Sequence, residues 1–151
     1  MSITIKAWID GVAKGNHLGG GGEAAAGIVI GGDIRHNTLS YKIKEQLTNN
    51  EAEYAALLLC ARYLKLVASR GNDILIFSDS MLLVNQMNRV WGTKDKKLVP
   101  VQEEVRSLLD GFDVYYIWVS RDKVEEADAL ANKAIKEGVV LCSVSPFFGD
   151  D

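Results

Sequence analysis

Four consecutive apolar residues, Ile74-Leu75-Ile76-Phe77, constrain this chain more than any other feature. A short run with no polar side predicts a central strand buried on both faces, and hence a sheet covered by helices. The segments around it supply both partners. Ile3, Ile5, Ala7 and Ile9 alternate with Thr4, Lys6, Trp8 and Asp10, a period-two strand ending at Asp10. Residues 24–30 and 37–44 read as two more strands, with a turn at Gly31-Gly32-Asp33 between them. The first three strands then form an antiparallel meander. The stretch Gly19-Gly20-Gly21-Gly22 is too short for a linker and reads as a hairpin turn.

Helices follow from caps and 3.6-residue spacing. Thr48 and Glu51 form a capping box, and Tyr54, Leu57, Leu58 and Ala61 then share one face, with Gly71 closing the helical region. Ser80 to about Trp91 reads as a second helix. A third carries Pro100 in its first turn and Val101, Val105, Leu108 and Leu109 on its apolar side. Residues 114–119 form a fifth strand. A last helix places Ala127, Leu130, Ala131, Ala134 and Ile135 on one face and ends at Gly138. The order βββαβααβα predicts an α/β protein. Its five-stranded mixed sheet has three antiparallel strands followed by parallel ones, because strand–helix–strand crossovers make parallel pairs.

The chain has 151 residues, 48% of them hydrophobic and 25% charged, which suits one domain with a core large enough to need no disulfide. Its net charge of −3 argues mildly against nucleic-acid binding through bulk charge, although a few placed cations or bound metal ions can overcome that. No apolar h-region opens the chain and no apolar run is long enough to span a bilayer, so a cytoplasmic protein without membrane contact is expected. Cys60 and Cys142 lack zinc-site spacing. They are either free thiols or a bridge tying the C-terminal tail down.

Four acids stand out by position. Asp10 and Asp79 each end a strand, where open α/β sheets place their ligands. Glu53 lies in the first turns of its helix, and Asp128 shares a side with Ala131 and Ile135, pointing partly inward. Inward carboxylates repel one another unless a cation compensates. Magnesium does so with hard oxygen ligands, and a pair of ions can support phosphodiester cleavage. Each acid also has a plainer role open to it: Asp79 as a helix N-cap, Glu53 as a charge favouring a helix N-terminus, Asp128 in an ion pair, Asp10 as a turn residue before Gly11. Spacing alone does not show that they converge.

The motifs around these acids resemble ribonuclease H of type 1. Trp8-Ile9-Asp10-Gly11-Val12-Ala13-Lys14-Gly15-Asn16 is similar to its first strand and glycine-rich loop, and Thr48-Asn49-Asn50-Glu51-Ala52-Glu53 to its helix start. Phe77-Ser78-Asp79-Ser80 resembles its Thr-Asp-Ser strand end, and Trp118-Val119 with Ala127-Asp128-Ala129-Leu130-Ala131 its final strand and helix. The resemblance implies the ribonuclease H fold over residues 1–138; the tail over 139–151 extends past it, and its apolar Val139, Val140, Leu141, Phe147 and Phe148 are expected to dock on the body, with an oligomer contact as the alternative. It implies an endoribonuclease that hydrolyses the RNA strand of RNA–DNA hybrids and leaves 3′-hydroxyl and 5′-phosphate ends. Asp10, Glu53, Asp79 and Asp128 would be both catalytic and metal-binding, holding two Mg²⁺ or Mn²⁺ ions. Substrate binding is implied for Gly11, Asn16, Asn49 and Asn50 at RNA 2′-hydroxyls, the group that distinguishes RNA from DNA. Thr48 with Asn16 resembles a pocket for a DNA-strand phosphate. Ser80 and Asn85 are further candidates, and Trp91 either stacks on the DNA strand or packs.

Departures from the family pattern are equally specific. The basic protrusion of many members is replaced by the short Gly92-Thr93-Lys94-Asp95-Lys96-Lys97, which predicts weaker, more salt-sensitive binding. The loop before the last helix, Ser120-Arg121-Asp122-Lys123-Val124-Glu125-Glu126, has no His, and Arg121 is the only substitute in view. Val124 and Met81 stand where Asn and Gln are common, while His17 and His36 match no catalytic position. A monomer without an N-terminal hybrid-binding module is expected. The alternatives are a non-catalytic module of this fold that binds hybrids or partner proteins, activity on double-stranded RNA, and a DNA-directed relative. The Asn16 and Thr48-Asn49-Asn50 motifs argue against the last.

Overall fold

The computed structural model describes residues 3–15, 21–138, 141–145 and 147–148. Strands β1 (Thr4–Lys14), β2 (Gly22–Gly32) and β3 (Asn37–Leu47) lead into helix α1 (Asn49–Val67). Strand β4 (Asp73–Ser78), helices α2 (Met81–Met87) and α3 (Leu98–Leu108) and strand β5 (Asp113–Trp118) follow. A 3₁₀ turn (Arg121–Val124), helix α4 (Glu125–Glu137) and a two-residue strand β6 (Leu141–Cys142) complete the order. The sheet runs β5-β4-β1-β2-β3-β6. β1, β2 and β3 pair antiparallel, while β4 joins β1, β5 joins β4 and β6 joins β3 in parallel.

Among the described residues six strands replace the expected five. The added strand is too short for any period to register, and it exists because Leu141 and Cys142 pair with Lys42 and Ile43. The backbone N–H of Val144 and the hydroxyl of Ser143 both donate to Glu45, at 2.8 and 2.6 Å, and Val144 and Phe148 are buried in the core. Val139 and Val140 lie outside the described residues, as do Gly19 and Gly20 of the expected hairpin.

One face of the sheet carries Ile5, Ala7, Ile9, Ile28, Ile30, Ile43, Ile74 and Ile76, all fully buried under Tyr54, Leu57, Leu58, Ala61 and Leu64 of α1. The capping box of α1 is formed as expected: Thr48 N–H donates to the Glu51 carboxylate at 2.9 Å, and Glu51 N–H to Thr48 Oγ1 at 3.2 Å. Helix α4 covers the other face, chiefly over β2 and its neighbours β1 and β3. It ends at Gly138, whose φ of 60° is left-handed.

That placement changes the expectation for β4. Ile74 and Ile76 are buried beneath α1, but Leu75 and Phe77 face the side that α4 leaves open and are only partly covered. Phe77 is instead stacked on Trp8, with ring centroids 5.2 Å apart. Other boundaries move for local reasons. α1 stops at Val67, four residues before Gly71. α2 is shorter than the expected 80–91, because Asn88 caps it and Arg89 takes a left-handed φ of 60°. Both thiols are free. Among the described residues no helix is long and apolar enough to cross a membrane.

Both helices meet the sheet at glycines. A Cβ on Gly11 would strike the backbone carbonyl of Ala52 in α1, and a Cβ on Gly27 that of Ala127 in α4. Gly27→Ala is expected to cost about 1–3 kcal/mol, the usual penalty for forcing extra volume into a packed contact. Gly92→Ala, where nothing lies within 4 Å, is expected to be near neutral. Denaturant unfolding of both variants checks the contrast.

Candidate metal and catalytic cleft

β1 and β4 run side by side only as far as the pair Trp8–Phe77. β4 then ends at Ser78, and the chain leaves through Asp79 into α2, while β1 continues along β2 to Lys14. Asp10 therefore lies within a strand, paired with Gly27, and neither it nor Gly11 is in a turn. The site occupies the gap where the two strands part, the place where an open α/β sheet exposes strand ends to a ligand.

Just past the end of β4, Gly11 N–H donates to Glu53 Oε1 at 2.8 Å. The α1 carboxylate is fixed against β1 by that bond, and the missing side chain at Gly11 lets the helix come close enough to form it. Asp79 is not the cap of α2. Ser80 is, its hydroxyl accepting from Leu83 N–H at 3.2 Å. The Asp79 backbone carbonyl accepts from the Trp118 indole at 3.2 Å, and its carboxylate lines the cleft. Glu53 is likewise not a mere helix-terminus charge, nor is Asp128 held by a cation. Among the described residues none of the four acids forms an ion pair.

Carboxylate oxygens of Asp10, Glu53 and Asp79 all lie within 4.8 Å of one another. Asp128 lines the same cleft, outside that tightest trio. Burial is the main cause that pushes the Asp10 carboxyl up to about 9, with the charges of Glu53 and Asp79 and the Asp128 contact adding to it. Burial also raises Glu53, to about 8, against the lowering effect of the Gly11 N–H. One oxygen of Asp79 is buried with no hydrogen-bond partner. Three hard oxygen donors, crowded together, short of cations and with one atom unpartnered, fit a divalent metal ion.

The cleft, about 530 Å³, is lined by these four acids together with Gly11, Asn49, Asn50 and Ser80. Lys14, Arg121 and Asn132 complete its polar lining. Thr48 and Asn85 do not line it. The Thr48 hydroxyl serves the α1 cap, and the Asn85 amide donates to Met81 O at 2.9 Å. Asn16 and His17 lie outside the described residues, and His36 is exposed beside Glu126 at 3.9 Å. Lys14 and Asn132 escaped the sequence reading. Ending the first strand at Asp10 hid Lys14, and Asn132 stands one helical turn after Asp128.

Beside the cleft, and sharing Asn50 with it, a groove is lined by Leu82, Trp91, Lys94 and Asp95. The short loop that forms its wall is held from beneath. Gln102 donates to Thr93 Oγ1 and to the Tyr54 hydroxyl, both at 2.9 Å, and that hydroxyl donates to Gln86 at 2.7 Å. Trp91, which lines this groove, is 45% exposed.

A mixed sheet with acids converging where its central strands part defines the ribonuclease-H class of α/β protein. The family model described as reverse transcriptase-like matches residues 13–134, and the chain belongs to this ribonuclease-H-like family. It is 36% identical over 136 residues to ribonuclease HI of Halobacterium salinarum, covering 88% of this chain and 65% of that protein. The crystal structure of ribonuclease H1 from that archaeon superposes with a TM-score of 0.73 at 33% identity, over 89% of this chain and 98% of the other. The N-terminal ribonuclease H domain of a Mycobacterium tuberculosis protein gives a TM-score of 0.75 at 26% identity, over 89% and 95%. LC11-RNase H1, solved with an RNA/DNA hybrid, shares the fold with a TM-score of 0.76 at 24% identity, over 89% and 99%. The chain spans less than two thirds of the length of the curated relatives it matches.

The raised carboxyls give a signed prediction for the metal-free protein. A folded-state pKa above the model values of 3.8 and 4.5 means that the folded state keeps protons the unfolded chain has lost. Stability should therefore fall as pH rises from about 4 toward about 8–9. In EDTA the melting temperature is expected to be higher at pH 6 than at pH 8.5. Asp10→Asn is expected to raise it at pH 8.5 and flatten the dependence. Mg²⁺ should stabilise the wild type more at pH 8.5 than at pH 6. Differential scanning calorimetry across pH, with and without metal, measures all three.

Proposed function

We propose that this chain is an endoribonuclease that hydrolyses the RNA strand of RNA–DNA hybrids, leaving 3′-hydroxyl and 5′-phosphate ends. The observation that carries this is the convergence of Asp10, Glu53 and Asp79 in a cleft that Asn49, Asn50 and Ser80 also line. Likeness to ribonuclease HI, and the RNA/DNA hybrid named in the LC11 complex, support the substrate class.

Asp10, Glu53 and Asp79, with Asp128 beside them, would hold two Mg²⁺ or Mn²⁺ ions. Such ions supply an activated water and stabilisation of the leaving oxygen in phosphodiester hydrolysis. The chain's own groups orient the reactants. Gly11 N–H fixes one Glu53 oxygen, leaving the other for the cleft. Asn49 and Asn50 stand at the first turn of α1, where each side-chain amide can both donate to and accept from a 2′-hydroxyl. Arg121, on the 3₁₀ turn, offers a planar donor set suited to phosphate. Thr48, Asn85 and Asn16 are proposed for the outer substrate surface, Asn16 with Thr48 at a DNA-strand phosphate. A monomer acting in the cytoplasm, with residues 1–138 as the nuclease domain, fits this activity.

Labelled RNA–DNA hybrid, RNA duplex and DNA duplex, each incubated with Mg²⁺, Mn²⁺ or EDTA, test the proposal. Cleavage of the hybrid's RNA strand is expected with metal only. Asp79→Asn should lower kcat by at least a hundredfold, about 2.7 kcal/mol of transition-state stabilisation. Cleavage surviving in EDTA or in the variant rejects the mechanism. Hybrid binding with no cleavage of any substrate identifies a non-catalytic module instead.

A further inference from the structure

We infer that Lys14 contacts a backbone phosphate of the strand that carries the scissile bond, a few nucleotides from it; the inference rests on the ribonuclease reading above. Asp10, Val12 and Lys14 alternate onto the α4 side of β1, and at the usual strand rise Lys14 lies about 13 Å beyond Asp10. The cleft's lining continues along the strand through Val12, Ala13 and Lys14 and takes in Asn132 of α4.

Helix α4 keeps pace with β1 along this limb. Its Ala127 carbonyl meets Gly27, the partner of Asp10, and its Ala131 and Ala134 pack on Ala25, the partner of Val12. Asp128 thus belongs to the acidic pole and Asn132 to the outer limb. The Asn132 amide donates to Asp128 O at 2.9 Å, and among the described residues no hydrogen bond to its side-chain carbonyl is found.

Charge separates the two ends. Four carboxylates crowd one, whereas of the two cations in the lining Arg121 sits on the 3₁₀ turn before α4 and Lys14 is the one carried out along β1. Among the described residues Lys14 forms no ion pair. Its register partner Glu23 lies 3.4 Å from Lys42 Nζ instead. A phosphodiester seated on the acids through metal ions continues as a polyanion in both directions. The direction that runs along β1 meets an unpaired ammonium, and lysine serves phosphate as a compact point charge.

Steady-state cleavage of an RNA–DNA hybrid by the wild type, Lys14→Gln and Lys14→Arg, across a range of salt concentrations, tests the assignment. Lys65→Gln serves as control, about 24 Å along α1 from Asn49. Lys14→Gln is expected to raise KM severalfold and leave kcat unchanged. Its plot of log(kcat/KM) against log salt should be shallower by about 0.7–0.9, the slope that one phosphate contact contributes. Lys14→Arg should restore the slope, and Lys65→Gln should keep it. A Lys14→Gln enzyme that cleaves with the wild-type slope overturns the contact while leaving the nuclease intact. A wild-type chain that cleaves no hybrid overturns the ribonuclease reading itself, and this contact with it.

Discussion

Helix backbone meets side-chain-free strand backbone at two places, Gly11 under α1 and Gly27 under α4, and the positions of Asp10, Glu53 and Asp128 depend on those contacts. Layers that meet through ordinary side chains stand well apart, as stacked sheets do at about 10 Å. Here each helix descends to its neighbour's main chain at one point and carries its carboxylate with it, Glu53 next to Gly11's contact at Ala52 and Asp128 next to Ala127. Asp10 lies between, adjacent to Gly11 in sequence and opposite Gly27 in register. The glycines thereby convert two helices on opposite faces of a sheet into walls of one cleft.

Electrostatics alone would forbid the result. Asp10 and Glu53 are buried enough that neither holds its negative charge at the pH it would in water, and Asp79 has an oxygen with no partner at all. The fold tolerates this because a large apolar core under α1 and a satisfied polar network around Tyr54 and Gln102 surround the strained point. The arrangement has the form expected of a functional site: local unfavourable energy retained within an otherwise consistent structure.

Much of this was legible in the chain, and what was not has a physical cause. The capping box at Thr48 and Glu51 and the left-handed cap at Gly138 involve neighbours in sequence, so residue types suffice to read them. The four acids could be singled out, but each allowed a plainer role until distances between elements were known. Ser80 taking the cap of α2 is what released Asp79 from one of them. Burial of β4 on both faces was misjudged, because the extent of α4 is set by its packing on β2 and not by any local pattern in 74–77. The outer limb was missed since the pairing of residues 11–14 with β2 is a long-range property that Gly11 disguises as a turn.

The two-residue strand β6 has a consequence beyond completing the sheet. An outermost strand offers unpaired amides and carbonyls to any passing extended segment, and β3 would be such a template. Leu141 and Cys142 occupy part of that template, while Ser143 and Val144 clamp onto Glu45 just beyond. Residues 141–144 thus shield part of an edge to which a further extended segment could otherwise add.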